Sequence, residues 1–521
     1  MLFNSFSFLL LFLPVTAIVF FALAKRSHQL AAGWLGLASL FFYGWWDYRY
    51  LPLLLGSIAF NYWAGWRIGH MDRNHPNDHS KAKPWLIFAV VTNLALLAYF
   101  KYADFYISSV NYLTGSKLDA LHIILPIGIS FFTFTQIAFL VDTYQGKVKE
   151  YRFVHYLLFV TYFPHLIAGP VLHHKEMMPQ FGNAATYQWS PKNMAVGLSI
   201  FAMGLAKKVL IADSLAPHAS FFFDKTDTPS LLIAWGGVLA YTFQLYFDFS
   251  GYSDMAIGLS RMFGIKLPLN FNSPYKSVNI IEFWRRWHMT LSRFLRDYLY
   301  IALGGNKKGS VRRYCNLFIT MVLGGLWHGA GWNFVIWGTL HGVYLMLNHA
   351  WVGIASASRL PRNSLVWKLF SIALTFAAVC IAWVFFRASD FNRASSIIQG
   401  MFNVYGIGLP ETIGSHLGGL KIVLEKMGIT FYLGGGTRFV QTYTWVLIAA
   451  GIAFLLPNTQ QIMDKFDPAL DYQSGKDNAP AFIQRYMSWT PGWKWAVWVG
   501  MIMVASLLLI NRPAEFLYFQ F

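Results

Sequence analysis

A chain that repeats apolar runs of about twenty residues, each long enough to cross the hydrocarbon core of a bilayer, can satisfy its backbone there only as helix or closed barrel. This sequence repeats such runs almost end to end. Candidate spans fall at residues 6–24, 30–46, 50–66, 85–100, 121–141, 153–172, 194–206, 209–223, 230–247, 315–348 (one or two spans), 368–386, 443–457 and 494–510. Of the 521 residues 56% are hydrophobic and 12% charged, against about 25% charged in soluble domains. The expected fold is all-α, a polytopic membrane protein with roughly 11 to 14 transmembrane or re-entrant helices. No polar linker divides the runs, so residues 1–521 read as one membrane domain. A secreted enzyme, a disordered protein and a nucleic-acid-binding domain are excluded.

In such a chain the formal charge of +18 reads as cytoplasmic loop charge and as sites for anionic ligands. Lys25/Arg26, Arg67 to Lys83, Lys147 to Arg152, Lys207/Lys208 and Arg359 to Lys368 are expected to face the cytoplasm, and alternating spans between them leaves both termini outside. The loop Asn458 to Lys494 is a weaker anchor, because Lys465, Lys476 and Arg485 are matched by Asp464, Asp467, Asp471 and Asp477. Phe6 to Ala24 has no basic residue before it and no small-x-small cleavage site after it, so it reads as an uncleaved first span. Cys315 and Cys380 sit in apolar surroundings and suggest neither a disulfide framework nor a Cys-based metal site.

Residues 255–313 depart from the pattern of spans. Arg261, Lys266, Lys276, Arg285, Arg286, Arg293, Arg296, Lys307, Lys308, Arg312 and Arg313 stand there against only Glu282 and Asp297, which no lipid-facing span tolerates. Ile280 to Leu303 nevertheless reads as one helix. Phe283, Trp287, Leu291, Phe294, Leu295 and Tyr298 recur at spacings of three and four, and Glu282/Arg286 and Arg293/Asp297 are i,i+4 pairs. A charged cytoplasmic or re-entrant segment is expected, lying at the interface or dipping in against protein and water.

His328 lies in Leu323-Gly-Gly-Leu-Trp-His-Gly-Ala-Gly-Trp332, inside the apolar stretch Leu317–Leu347 and within residues 314–348. An ionisable group at membrane depth is costly and usually faces a cavity with a task, though a core histidine satisfied by a carbonyl would also fit. The glycines around it permit close backbone approach and a bend. His288, in Phe283-Trp-Arg-Arg-Trp-His-Met289, would share a helix face with Arg285 and Ser292, or be no more than a half-exposed interfacial histidine. A metal pair of His288 and His328 lacks a carboxylate or third imidazole at ligand spacing.

Gln244-Leu-Tyr-Phe-Asp-Phe-Ser-Gly-Tyr-Ser-Asp254 gathers two carboxylates, hydroxyls and tyrosines at the expected end of a span, where Asp and Ser would satisfy free backbone groups. Asp248, inside the apolar stretch, would orient a partner or line a path. Gly304-Gly-Asn-Lys-Lys-Gly309 is too short for a phosphate-binding Walker loop, although its lysines would attract phosphates. The tail, residues 511–521, ends in Phe516-Leu-Tyr-Phe-Gln-Phe521, either an aromatic interfacial anchor or a free end that inserts into a groove and presents Tyr518.

Gln244 to Gly258, Glu282-Phe-Trp-Arg-Arg-Trp-His288, Leu295-Arg-Asp-Tyr-Leu-Tyr-Ile301 and Gly324-Gly-Leu-Trp-His-Gly329 together resemble the membrane-bound O-acyltransferase family, closest to its alginate O-acetyltransferase branch. The resemblance runs from Phe3 through Pro164-His-Leu-Ile-Ala-Gly-Pro170 to the C-terminal Phe-x-Tyr-Phe-x-Phe. It implies a ring of tilted helices around a central tunnel, with His328 as the catalytic histidine, His288 as the second tunnel histidine and Tyr518 as an acyl relay. It also implies acetyl-coenzyme A as acyl donor, no metal, and a periplasmic or membrane-anchored polysaccharide acetyltransferase as partner in the bacterial inner membrane. Anionic coenzyme A would be drawn to Arg285, Arg286, Lys307 and Lys308, with Trp287 and Trp327 next to the two histidines.

The implied function is transfer of an acetyl group from a cytoplasmic donor across the membrane for O-acetylation of an exopolysaccharide such as alginate. Peptidoglycan, cellulose and teichoic acid are alternative acceptors. A transporter or channel, with buried His and Asp residues along a permeation path, is the alternative from another class, though inverted repeats are not evident.

Overall fold

The structure is a computed structural model and describes residues 1–74, 80–148, 152–356, 364–470, 472, 485–511 and 517. It is mostly helical, with one addition to the all-α expectation: strands Ile407–Pro410 and Ile429–Tyr432 form a two-stranded parallel ribbon. Among the described residues five helices are long and apolar enough to cross a membrane: Ser7–Ala24, Lys83–Thr114, Pro191–Lys225, Leu365–Arg387 and Gly436–Leu455.

Several expected spans fold differently. Residues 194–206 and 209–223 are one continuous helix, Pro191–Lys225, carried through by a π-helical turn at Lys207–Ala212. Lys207 and Lys208 are therefore not a cytoplasmic loop, and the alternation of spans loses one of its anchors. The two lysines tolerate the interior because carboxylates neutralise them. Lys207 Nζ lies 2.6 Å from Asp254 Oδ2, and Lys208 Nζ lies 2.7 Å from both Asp213 Oδ1 and Asp248 Oδ1. The expected span 121–141 is helical only from Ile129, and 153–172 only over Phe153–Thr161, after which the chain runs to His173 as buried irregular backbone. Such backbone is tolerated at membrane depth where protein surrounds it.

The Leu231–Met262 helix continues past residue 247, and every residue from Ala240 to Met262 is buried. Gln244 to Asp254 is thus a mid-helix segment rather than a helix end, and its carboxylates serve tertiary partners instead of free backbone groups. Asp254 accepts from Thr459 Oγ1 at 2.6 Å and Gln460 Nε2 at 2.7 Å, which fixes the start of the Thr459–Ile462 turn.

This helix crosses Pro191–Lys225 at glycine on glycine. A Cβ built on Gly258 would meet Gly197 O at 2.6 Å, and one on Gly204 would meet Gly251 O at 2.6 Å. Small residues at a repeating face let two backbones touch where lipid supplies no hydrophobic drive.

Candidate active site

The helices Gly309–His328 and Trp332–Ser356 form a hairpin whose backbones meet at Gly325 and Gly338; a Cβ on either would come 2.2 Å from Phe334 O or 2.4 Å from Met321 O. The glycines flanking His328 therefore do provide close approach. His328 is the last residue of its helix, buried at 9% exposure. Its ring sits among aromatic edges, 4.9 Å from Trp327, 5.1 Å from Trp337 and 5.2 Å from Phe386, centroid to centroid.

His288 reaches the same place from a different element. The expected helix Ile280–Leu303 is broken at this residue: Ile280–Arg286 ends, His288 takes φ +43° in the left-handed region, and Met289–Phe294 begins. A non-glycine residue there costs about 1–2 kcal/mol. Neighbouring bonds hold it in place: Met289 N donates to Asn270 O at 2.9 Å and Asn272 N donates to Arg286 O at 2.9 Å. The break removes His288 from the Arg285/Ser292 face and turns it inward, where it is fully buried rather than half-exposed.

Asn270 is the hub of this turn. Its Oδ1 accepts from Thr290 Oγ1 at 2.9 Å and sits 3.1 Å from His288 Nδ1. An amide oxygen can only accept, so Nδ1 carries the proton and Nε2 is left as the free base. Nε2 is buried with no partner among the described residues. The His288 and His328 rings lie 6.3 Å apart.

A third histidine, His341, completes the row. It is fully buried, stacks its edge on Trp337 at 4.7 Å, and its Nδ1 lies 3.3 Å from Trp284 Nε1. It stands in the same apolar stretch as His328, so the argument from membrane depth applied to that stretch could have found it. Asn270 carries no such signal. Among the described residues, no group of three His, Cys, Asp or Glu side chains is placed to hold a metal ion.

Two cavities with no lining residue in common adjoin this region, one lined by His328 and the other by Met289 and Thr290, which follow His288 in the chain. The larger, about 610 Å³, is lined by Arg285, Arg293, Arg296, Arg313 and His349 together with apolar Met289, Leu317 and Leu345. Trp284 also lines it, and packs 5.8 Å from Trp337. The smaller, about 110 Å³, is lined by His328, Trp327, Lys101, Gly128, Ser130 and Ile167.

The expected anion-binding residues separate here. Arg285 lines the larger cavity, whereas Arg286 is paired with Glu282 at 2.9 Å, and Lys307 and Lys308 are exposed in the loop after it. Trp287 is buried in an aromatic stack with Phe283 and Trp383, and Trp327 faces Phe131 and Phe134. Arg293, Arg296 and Arg313 also line that cavity, Arg293 paired with Glu176 at 2.7 Å and Arg296 with Asp297 at 2.7 Å, and in the sequence they stand out only as part of a basic run. Asp248 orients partners as expected: besides Lys208, its Oδ2 accepts from the Leu517 N–H at 3.3 Å, and Leu517 is buried. Tyr518, the residue after it, lies outside the described residues.

Comparison with known proteins places these residues in a family context. The family model for the membrane-bound O-acyltransferase family matches residues 97–389. A peptidoglycan O-acetyltransferase of Helicobacter pylori is 45% identical over 436 residues, covering 78% of this chain and 81% of the relative. A probable alginate O-acetylase of Pseudomonas syringae pv. tomato is 43% identical over 537 residues and covers 100% of both chains. A teichoic acid D-alanyltransferase of Streptococcus thermophilus is 28% identical, over 50% of this chain and 68% of the relative.

Proposed function

The chain belongs to the membrane-bound O-acyltransferase family, and from that premise we propose that it takes an acetyl group from acetyl-coenzyme A at the cytoplasmic face and passes it across the bacterial inner membrane for O-acetylation of an exopolysaccharide such as alginate. Membership in an acyltransferase family selects this over a transporter without covalent chemistry. The observation that carries the proposal is the pairing of His288 and His328 at 6.3 Å, next to a cavity walled by arginines.

The cavity fits the donor. Guanidinium groups bind phosphate in bidentate fashion, and Arg285 and Arg313 supply them, while Met289 and Leu317 suit the apolar arm that carries the thioester. His328 acts as general base. Its imidazole takes the proton of the acceptor hydroxyl as the oxygen attacks the thioester carbonyl; the C–S bond then breaks and the thiolate recovers the proton from the imidazolium. One imidazole thus serves both half-steps, first as base and then as acid. His288, its Nδ1 held by Asn270, polarises the donor side, and the two residues that follow it, Met289 and Thr290, line the cavity.

The first acceptor in this reading is Tyr518. An aryl ester is a competent relay because phenolate, with a parent pKa near ~10, leaves more readily than a sugar alkoxide. Leu517, the residue before Tyr518, is buried and donates its N–H to Asp248 at 3.3 Å, which supports this reading over an aromatic interfacial anchor. A periplasmic or membrane-anchored acetyltransferase partner then carries the group to the polymer.

A second reading keeps the chemistry and makes peptidoglycan the acceptor, favoured by the Helicobacter pylori relative. One experiment addresses both. Purified protein incubated with acetyl-coenzyme A should release free thiol, and cells lacking the protein should lose O-acetyl groups from one polymer. Absence of thiol release refutes the donor assignment, and loss of acetyl from peptidoglycan alone refutes the exopolysaccharide.

A further inference from the structure

The C-terminal turn of the helix that carries His328 is held from outside by two consecutive residues of another helix. Lys101, in the middle of Lys83–Thr114, places its Nζ 2.5 Å from Trp327 O and 3.3 Å from His328 O. Tyr102 donates its hydroxyl to Leu326 O at 2.8 Å. The last four carbonyls of any helix lack intrahelical donors, and three of those in this helix are thereby satisfied. The hairpin connection is Gly329-Ala330-Gly331, which brings no side-chain donor of its own.

An ammonium is an expensive choice for that purpose. Lys101 is half-buried, a cation drawn out of water forfeits hydration unless a countercharge compensates, and the hydrogen-bond partners of Lys101 are two carbonyls and, at 3.5 Å, Ser130 Oγ, with no carboxylate among the described residues. What favours it is its position at the negative end of the helix dipole, where a cation is stabilised. A tyrosine already shows, one residue away, that a neutral donor suffices for a carbonyl. Lys101 also lines the small cavity onto which His328 opens. The charge is thus placed where it fixes the backbone atoms from which the His328 side chain projects.

We infer that Lys101 is a positioning residue for the reaction at His328: its ammonium clamps the Trp327 and His328 carbonyls and thereby sets the direction of the imidazole. The inference rests on the reading of His328 as the base. A base displaced by about 1 Å loses on the order of 10²-fold in rate while the donor, bound elsewhere, is held as before.

Three variants and one control test it, each assayed as purified full-length protein by thiol release from acetyl-coenzyme A. Lys101→Met keeps the apolar stem and loses the charge and the donors; kcat should fall at least tenfold, with KM for the donor within about threefold. Lys101→Arg, which retains a cation able to donate to two carbonyls, should recover most of that loss. Lys101→Leu, uncharged and without a donor, is the substitute should the methionine variant fail to fold, and should also lose at least tenfold in kcat. A folded methionine or leucine variant with kcat within threefold of wild type overturns the inference. So does a loss that arginine does not rescue and that tracks a lowered thermal transition in all three. The control is His328→Ala: full activity there refutes the base assignment, and the role of Lys101 falls with it, whereas an inactive control with a normal Lys101→Met isolates the failure to Lys101.

Discussion

The His288 and His328 rings stand 6.3 Å apart at the meeting point of two elements that approach from different parts of the chain, one a helix terminus and the other a left-handed break between two short helices. Neither geometry is a regular helix interior. Each frees an imidazole from its own helix surface and turns it toward the other.

Replacing His328 by alanine should abolish acyl transfer and leave a folded protein, since its neighbours are aromatic rings that do not depend on it for hydrogen bonds. The checks are thiol release and size-exclusion behaviour in detergent. Near-normal transfer by well-behaved protein would remove His328 from the mechanism.

His288→Ala should slow the reaction less than His328→Ala. Asn270→Leu should reproduce most of its effect, because Asn270 Oδ1 fixes the tautomer through Nδ1. A loss of about ten- to a hundredfold is expected for the asparagine variant. If His288→Ala were inactive and His328→Ala merely slow, the two roles would be exchanged.

Removing cavity charge should weaken the donor and not the chemistry. Arg285→Ala with Arg313→Ala should raise KM for acetyl-coenzyme A, more at low than at high ionic strength, because salt already screens the attraction. Lys307→Ala with Lys308→Ala, outside the cavity, should change it far less. Equal effects of the two pairs would mean that the basic run attracts the donor only diffusely.

Tyr518→Phe should stop acetylation of the polymer while leaving the fold intact, and labelled donor should leave an acyl group on Tyr518 in the wild-type C-terminal peptide. Leu517→Pro, which deletes the N–H that Asp248 accepts, should cause the same loss by releasing the tail. Full polymer acetylation by Tyr518→Phe, with no label on the wild-type peptide, would leave an anchor and no relay.

Gly258→Ala should destabilise the protein by about 1–3 kcal/mol or more, since the added methyl meets a backbone carbonyl rather than a side chain that can move. Gly33→Ala, whose Cβ meets nothing within 4 Å, is the control. Thermal unfolding in detergent compares them.

Sequence alone determined that this chain is helical and lives in a membrane, because apolar length and the cost of unpaired backbone in lipid are local properties. It also marked His328, since an ionisable group in an apolar run stands out without any partner being known. Tertiary structure decided the rest. Lys207 and Lys208 read as a loop until Asp213, Asp248 and Asp254, contributed by their own helix and the next, neutralise them. His288 read as interfacial because the spacing of Ile280–Leu303 fits a helix, and what breaks that helix is Asn270, a residue of a different segment. Arg285 and Lys308 look alike in a basic run; only the packing of the 309–356 hairpin against the broken helix puts one in a cavity wall and the other in solvent. Periodicity records which face of a segment is apolar, whereas the pairing of charges and the breaking of a helix depend on groups far away in sequence.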